Sequence, residues 1–183
     1  FLVAPLTAAV FASSAEALSV KHDFTAFVGP FNASTAEFEY TLTKKSYAVR
    51  SVVRTNGTFG FLYPFEANYY TGGSIEGDRL ETSAYRYTSQ SRFNKRSKVM
   101  IYNEDGQPVF AVSSKNGREK KKEIEATADS KNTTNLQTVL AAIARQYNQV
   151  GFCDSRIPIF DGKRRFDAIF RDEGKEEIKA NEY

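Results

Sequence analysis

The chain has 183 residues, with 25 Lys and Arg against 22 Asp and Glu, one His and one Cys. A net charge of +3 spread among both signs excludes the basic imbalance that nucleic-acid binding requires. A single His and a single Cys cannot assemble a zinc set, and no metal or other cofactor is expected.

The first segment is an apolar run from Phe1 to Ala12, followed by small and polar residues and then Ala15-Glu16-Ala17. Small side chains at Ala15 and Ala17 suit a signal peptidase, and the run is shorter than the roughly 20 residues a membrane span needs. Residues 1–17 are therefore expected to be the remnant of a secretory signal peptide, begun after its Met and basic region. The mature chain then starts near Leu18. Loss of Glu16, the leader's only charge, takes the net charge from +3 to +4. The expected address is periplasmic or secreted, with nothing left to span a membrane. In an oxidising compartment a lone Cys153 calls for explanation. It is either a small buried hydrophobe or half of a pair whose partner lies beyond Tyr183.

From Leu18 to about Ala128 the pattern is one of strands and turns. Phe38, Tyr40 and Leu42 alternate with Glu37, Glu39 and Thr41, and Tyr47, Val49 and Val53 with Arg50 and Arg54. Phe65, Ala67 and Tyr69 follow, then Tyr85 and Tyr87, then Val99 and Ile101. Gly29-Pro30, Asn56-Gly57, Gly72-Gly73, Glu76-Gly77-Asp78, Asp105-Gly106 and Asn116-Gly117 punctuate these runs as turns. Short turns between alternating strands predict an antiparallel meander. The expected fold is mainly β: one curved antiparallel sheet, a half-barrel or open barrel, covered by one helix near 134–147.

Leu136, Val139, Leu140, Ile143 and Tyr147 form that helix's apolar stripe, with Asn132, Thr133 or Thr134 as its cap and Gly151 beyond its end. Ile157 and Ile159 then alternate, Asp161-Gly162 turns, and Phe166, Ala168 and Phe170 mark another strand. Residues 18–183 read as one β-rich domain that is cut short at its C-terminal end.

No catalytic constellation stands out. His22 has Asp23 beside it but no nucleophile elbow, the carboxylates are scattered, and no glycine-rich phosphate loop is present. Non-enzymatic work is expected. Three basic runs, from Arg92 to Lys98, from Arg118 to Lys122 and from Lys163 to Arg165, suit anionic head groups or an acidic protein. The simpler reading is that strand alternation turns these charges outward, where they keep sheet edges apart. The oddest segment is apolar where a polar turn is normal: Phe59, Phe61, Leu62, Tyr63 and Phe65, with Gly60 and Pro64 among them. It is read as a plug closing one end of the core or as a hook for an acyl chain or an apolar partner segment.

The order of several pieces resembles a bacterial envelope family called domain of unknown function 3108. They are Lys44-Lys45-Ser46-Tyr47, the Gly60–Phe65 segment, Glu76-Gly77, Tyr85-Arg86-Tyr87-Thr88-Ser89 and Lys120-Lys121-Lys122-Glu123-Ile124, followed by the helix. Phe152-Cys153-Asp154 then leads to Ile159-Phe160-Asp161-Gly162-Lys163-Arg164-Arg165-Phe166-Asp167. Where the family often opens the helix with Asp-Pro, this chain has Asn135-Leu136-Gln137. The resemblance implies a disulfide from Cys153 to a cysteine beyond the given chain, and a sheet similar to the half-barrel of lipoprotein carriers. The function expected first is binding of a lipid, acyl chain or apolar partner segment in the envelope by Phe59, Phe61, Leu62, Tyr63 and Phe65. An envelope scaffold acting through sheet edges and basic strands comes second, and a periplasmic hydrolase third.

Overall fold

The alternation and the short turns build the architecture they predict, except that Gly72-Gly73, read as a turn, lies at a bulge inside a strand. The computed structural model describes residues 17–174; the expected leader, but for its last residue, and the segment 175–183 lie outside them. Eight strands run β1 Leu18–Val28, β2 Phe31–Leu42, β3 Ser46–Thr55, β4 Phe65–Glu76, β5 Arg79–Ser91, β6 Lys95–Tyr102, β7 Pro108–Lys115 and β8 Arg118–Glu123. Each pairs antiparallel with the next in chain order, and β1 and β8 do not pair with each other. The result is an open meander rather than a closed barrel.

In a meander, connections alternate between the two ends of the sheet. Segments 29–30, 56–64, 92–94 and 116–117 lie at one end, and 43–45, 77–78 and 103–107 at the other. The first set includes a short helix that the sequence reading lacks, α1 Gly57–Leu62. After β8 come α2 Leu136–Val150 and a hairpin, β9 Ser155–Phe160 with β10 Arg165–Phe170, which forms its own two-stranded sheet.

Helix α2 begins later than expected, and its cap is Asn135 rather than Asn132, Thr133 or Thr134. The Asn135 side-chain oxygen accepts from the backbone N–H groups of Gln137 and Thr138, both at 3.0 Å. Thr134 cannot join the helix because it bridges Ile159: its N–H donates to Pro158, and its carbonyl accepts from Phe160. The buried face also differs from the predicted stripe. Gln137, Thr138, Val139 and Ala141 are buried, whereas Leu136 and Tyr147 are exposed. The helix enters the sheet by its first turns, so depth along its axis outweighs angular position.

Packing is divided between two small clusters. Tyr47, Val49 and Ala141 join α2 to the sheet, with Tyr40, Leu42, Ile75 and Leu80 around them. Met100, Tyr102, Ala111, Ile124 and Phe160 join β6 and β7 to the β9–β10 hairpin. Strands β4 and β5 approach most closely at a bulge beside Gly73, where an added Cβ would stand 1.9 Å from the Glu81 carbonyl oxygen. Only glycine permits that approach.

Candidate functional site

The face of the sheet that carries α2 has two halves of different chemistry. Under the start of α2 it is filled and polar. The Tyr47 hydroxyl lies 2.9 Å from the Thr82 hydroxyl and 2.8 Å from that of Thr138, and Thr82 and Thr138 are 3.0 Å apart. The Asn135 amide donates to Thr71 and Thr138, and Ser51 donates to Gln137 at 2.6 Å. Burial pushes the Tyr47 phenol above its ordinary pKa, against the opposing pull of its hydroxyl partners. Within this network the buried hydroxyls and amides are taken up by one another.

The other half is open, and strand register decides what lines it. One row across the sheet pairs Phe24 with Ala36, Ala36 with Val53 and Val53 with Ala67. The same row continues through Ser89 and Arg96 to Lys115 and Arg118. It passes from apolar to cationic as it crosses from β1 to β8. The neighbouring row runs Phe38, Ser51, Tyr69 and Tyr87, then Lys98, Ser113 and Lys120. Phe24 and Phe38 touch edge to face at 5.6 Å, and the Tyr69 and Tyr87 rings lie 4.9 Å apart.

Over the cationic side of these rows lies an open cleft of about 820 Å³. Arg96, Lys98, Lys115, Arg118, Lys120 and Lys163 line it with Tyr69, Tyr85 and Tyr87, and among the described residues no carboxylate lines it. Lys163 arrives from the β9–β10 turn. There the Asp161 carboxylate accepts from the N–H groups of Lys163 and Arg164 at 2.7 and 2.9 Å. Gly162 holds φ +92° and lies over Met100 and Lys98. The Asp161 carbonyl accepts from Lys98 Nζ at 2.7 Å. Burial lowers the Lys98 pKa, opposed by the Asp161 carboxylate and assisted by Lys163. Burial also pushes the phenols of Tyr69 and Tyr85 up.

Each of the three basic runs thus contributes to one site, whose cations other than Lys98 are exposed, as outward strand charges are. Alternation divides every run: Arg96 and Lys98 face the cleft, as do Arg118 and Lys120, whereas Lys121 lies 3.5 Å from Glu119. Arg165 is committed elsewhere, donating to the carbonyls of Ala128 and Lys131. Period-two alternation could have shown which members of a run share a face. Their convergence across β6, β8 and the β9–β10 turn needed the register.

The apolar segment takes a different place. It does not plug the core: Phe61 is 77 % exposed and Tyr63 72 % exposed, and Leu62 is exposed beside them. Phe59 is partly buried and Phe65 opens β4. The segment is pinned at its base, where Thr55 donates to the Tyr63 carbonyl and accepts from the Phe65 N–H, each at 2.9 Å. Helix α1 spans six residues and contains no buried one: it rests on β2 with Phe59 partly covered and leaves Phe61 and Leu62 in solvent. None of the five residues lines the cationic cleft.

A second recess of about 490 Å³ lies at the opposite end, beside α2. Its charges are mixed and largely paired, Arg79 with Glu81 at 2.7 Å and Arg145 with Asp78 at 3.5 Å. His22 is exposed among Phe24 and Tyr40, and Asp23 lies 3.4 Å from Lys21 rather than serving the imidazole. Cys153 is partly exposed between α2 and β9. Among the described residues no helix is long and apolar enough to cross a membrane.

No curated protein and no solved structure matches the chain. A family model described as Protein of unknown function (DUF3108) matches residues 23–183, a span that holds every strand of the cleft, α2 and the β9–β10 turn. The chain belongs to that family.

Proposed function

We propose that this protein is a non-enzymatic binding module of the cell envelope that holds an anionic amphiphile on the open half of its helix face. The observation carrying the reading is the row that changes from Phe24, Ala36, Val53 and Ala67 on β1–β4 to Arg96, Lys115 and Arg118 on β6–β8. An acyl chain lies along the apolar strands and its charged head meets the cations. Six basic side chains, with Asp161 the nearby carboxylate among the described residues, leave an excess of positive charge that an anion relieves. The tyrosines between the two regions offer apolar rings to the chain and hydroxyls to the head. Binding, not turnover, fits a site whose titratable lining groups are six cations and three phenols.

The test is gentle purification followed by mass spectrometry of extracted lipids, together with titration of the chain with oleate. Saturable oleate binding that weakens about tenfold in Lys98→Ala/Lys120→Ala supports the reading, at roughly 0.7 kcal/mol for each charge. A chain that carries no lipid, and whose oleate binding the double variant leaves unchanged, overturns it.

A scaffold role has one observation in its favour. Strand β8 is an unpaired edge whose six residues, Arg118–Glu123, are all exposed. Lysines on such an edge oppose casual strand addition and favour an acidic partner. Cross-linking in intact cells that captures one partner, lost in Lys121→Glu, supports this second reading.

A further inference from the structure

The four connections at one end of the sheet share a composition that the core does not require and that the cleft draws on only at Lys115 and Arg118. Segments 27–32, 55–65, 91–95 and 115–118 contain no Asp or Glu, but they carry Arg92, Lys95, Lys115 and Arg118. They also hold a group of large apolar side chains left in solvent: Phe27, Phe31, Phe61, Leu62, Tyr63 and Phe93, the last 80 % exposed. The opposite end differs. Its connections mix Glu76, Asp78, Glu104 and Asp105 with Lys44, Lys45 and Arg79, and their large apolar residues are withdrawn from solvent, Leu42 partly and Tyr102 fully.

The four connections are bonded to one another. Asn56 N–H donates to the Ala33 carbonyl at 3.0 Å, joining the α1 connection to the start of β2. Arg92 donates to the Phe61 carbonyl at 2.8 Å, joining α1 to the β5–β6 turn. Asn116 N–H donates to Lys95 at 2.8 Å, and its side-chain oxygen accepts from Lys95 N–H at 2.7 Å, joining that turn to β7–β8. At about 4.8 Å per strand, these bonds make one rim up to roughly 30 Å long.

We infer that this rim is an interfacial docking surface for an anionic phospholipid bilayer. Its aromatic side chains stand on projecting loop tips, not in a groove. They suit a fluid partner into which they can insert, and aromatic rings with cations are the pairing that membrane interfaces favour. The uniform sign selects an anionic surface, towards which each nearby Lys or Arg adds attraction. A second copy of the chain is a poor occupant, because a two-fold contact of the rim with itself would bring cations against cations. The inference rests on loop composition and stands whether or not the cleft holds an amphiphile.

Sedimentation of the chain with phosphatidylcholine vesicles, with and without phosphatidylglycerol, tests it. Binding is expected to be about tenfold tighter with phosphatidylglycerol present and to weaken as salt rises. Phe61→Ser/Phe93→Ser should weaken it about tenfold with melting unchanged, since both side chains are exposed. Lys95→Glu should weaken it about fivefold without touching the apolar tips. Equal binding to both vesicle types overturns the inference, as does unchanged binding in both variants. So does light scattering that shows the rim variants disrupting self-association instead. Vesicle binding lost only in Lys98→Ala/Lys120→Ala would place it in the cleft, again against the rim. Rim-dependent vesicle binding by a chain that carries no amphiphile would uphold this inference while overturning the cleft's proposed role.

Discussion

The hydroxyls of Tyr47 and Thr138 are hydrogen-bonded at 2.8 Å across 91 residues of chain, tying β3 to the first turn of α2. That bond belongs to a buried network, while the Tyr102 hydroxyl is buried with no partner in bonding geometry. The two tyrosines should therefore respond oppositely to loss of the same atom. Tyr47→Phe should cost about 1–2 kcal/mol, because Thr82 and Thr138 each lose a partner away from water. Tyr102→Phe should be neutral or stabilise by about 0.5–1 kcal/mol, since it removes an unpaired polar group. Urea denaturation of both variants checks the contrast, which fails if both lose stability equally.

Asn135 serves the helix and the network at once. Its oxygen caps two backbone N–H groups, and its amide donates to Thr71 and Thr138. Asn135→Ala should cost about 2–4 kcal/mol, more than the ~1 kcal/mol typical of a lost cap alone. Amide exchange should show the excess as increased opening of the first turn of α2. A loss no greater than that of a simple cap would mean that the threonine contacts contribute nothing.

Lys98 separates binding from folding. Its folded pKa is lowered chiefly by burial, so between that value and its ordinary value the unfolded chain binds more protons, and stability rises with pH in that interval. The unfavourable contribution is fully present below the folded pKa. Lys98→Met should remove it along with its pH slope, leaving the free protein equally or more stable at neutral pH. The same substitution should weaken oleate binding several-fold. Melting curves at several pH values, with and without oleate, check both halves.

Alkaline unfolding should follow the tyrosines. Burial raises the phenol pKa of Tyr47, Tyr69, Tyr85 and Tyr102, so the folded chain holds these protons longer than the unfolded one. Their stabilising contribution is fully present below about pH 10 and is lost as pH rises beyond it. Four groups of this sign outweigh the single Lys98. Phenolate absorbance should therefore rise in two stages, the second coinciding with loss of circular dichroism. A single smooth titration without unfolding would contradict this.

The strands and turns were legible because both are local. Period-two alternation in 37–42 and the Gly-containing turns need only neighbouring residues, and they led to a meander. The helix was legible as a helix, but its buried side was not. Gln137 and Thr138 are polar by composition and became core because Ser51, Tyr47 and Thr82 stand opposite them. The apolar Phe61 and Tyr63 were open to two readings, a plug of the core or a hook for an apolar partner, and only their exposure in the folded chain sets the plug aside.

Residue order by itself determined that this chain makes antiparallel strands in sequence, where they turn, and where one helix follows, since backbone preference and alternation act over a few residues. The tertiary structure alone decided that Arg96, Lys98, Lys120 and Lys163 share one cleft, and that four acid-free turns share one rim. Those groupings depend on cross-strand register and on which end of the sheet each turn occupies. Both are set by the packing of residues far apart in the chain, and no local pattern encodes them.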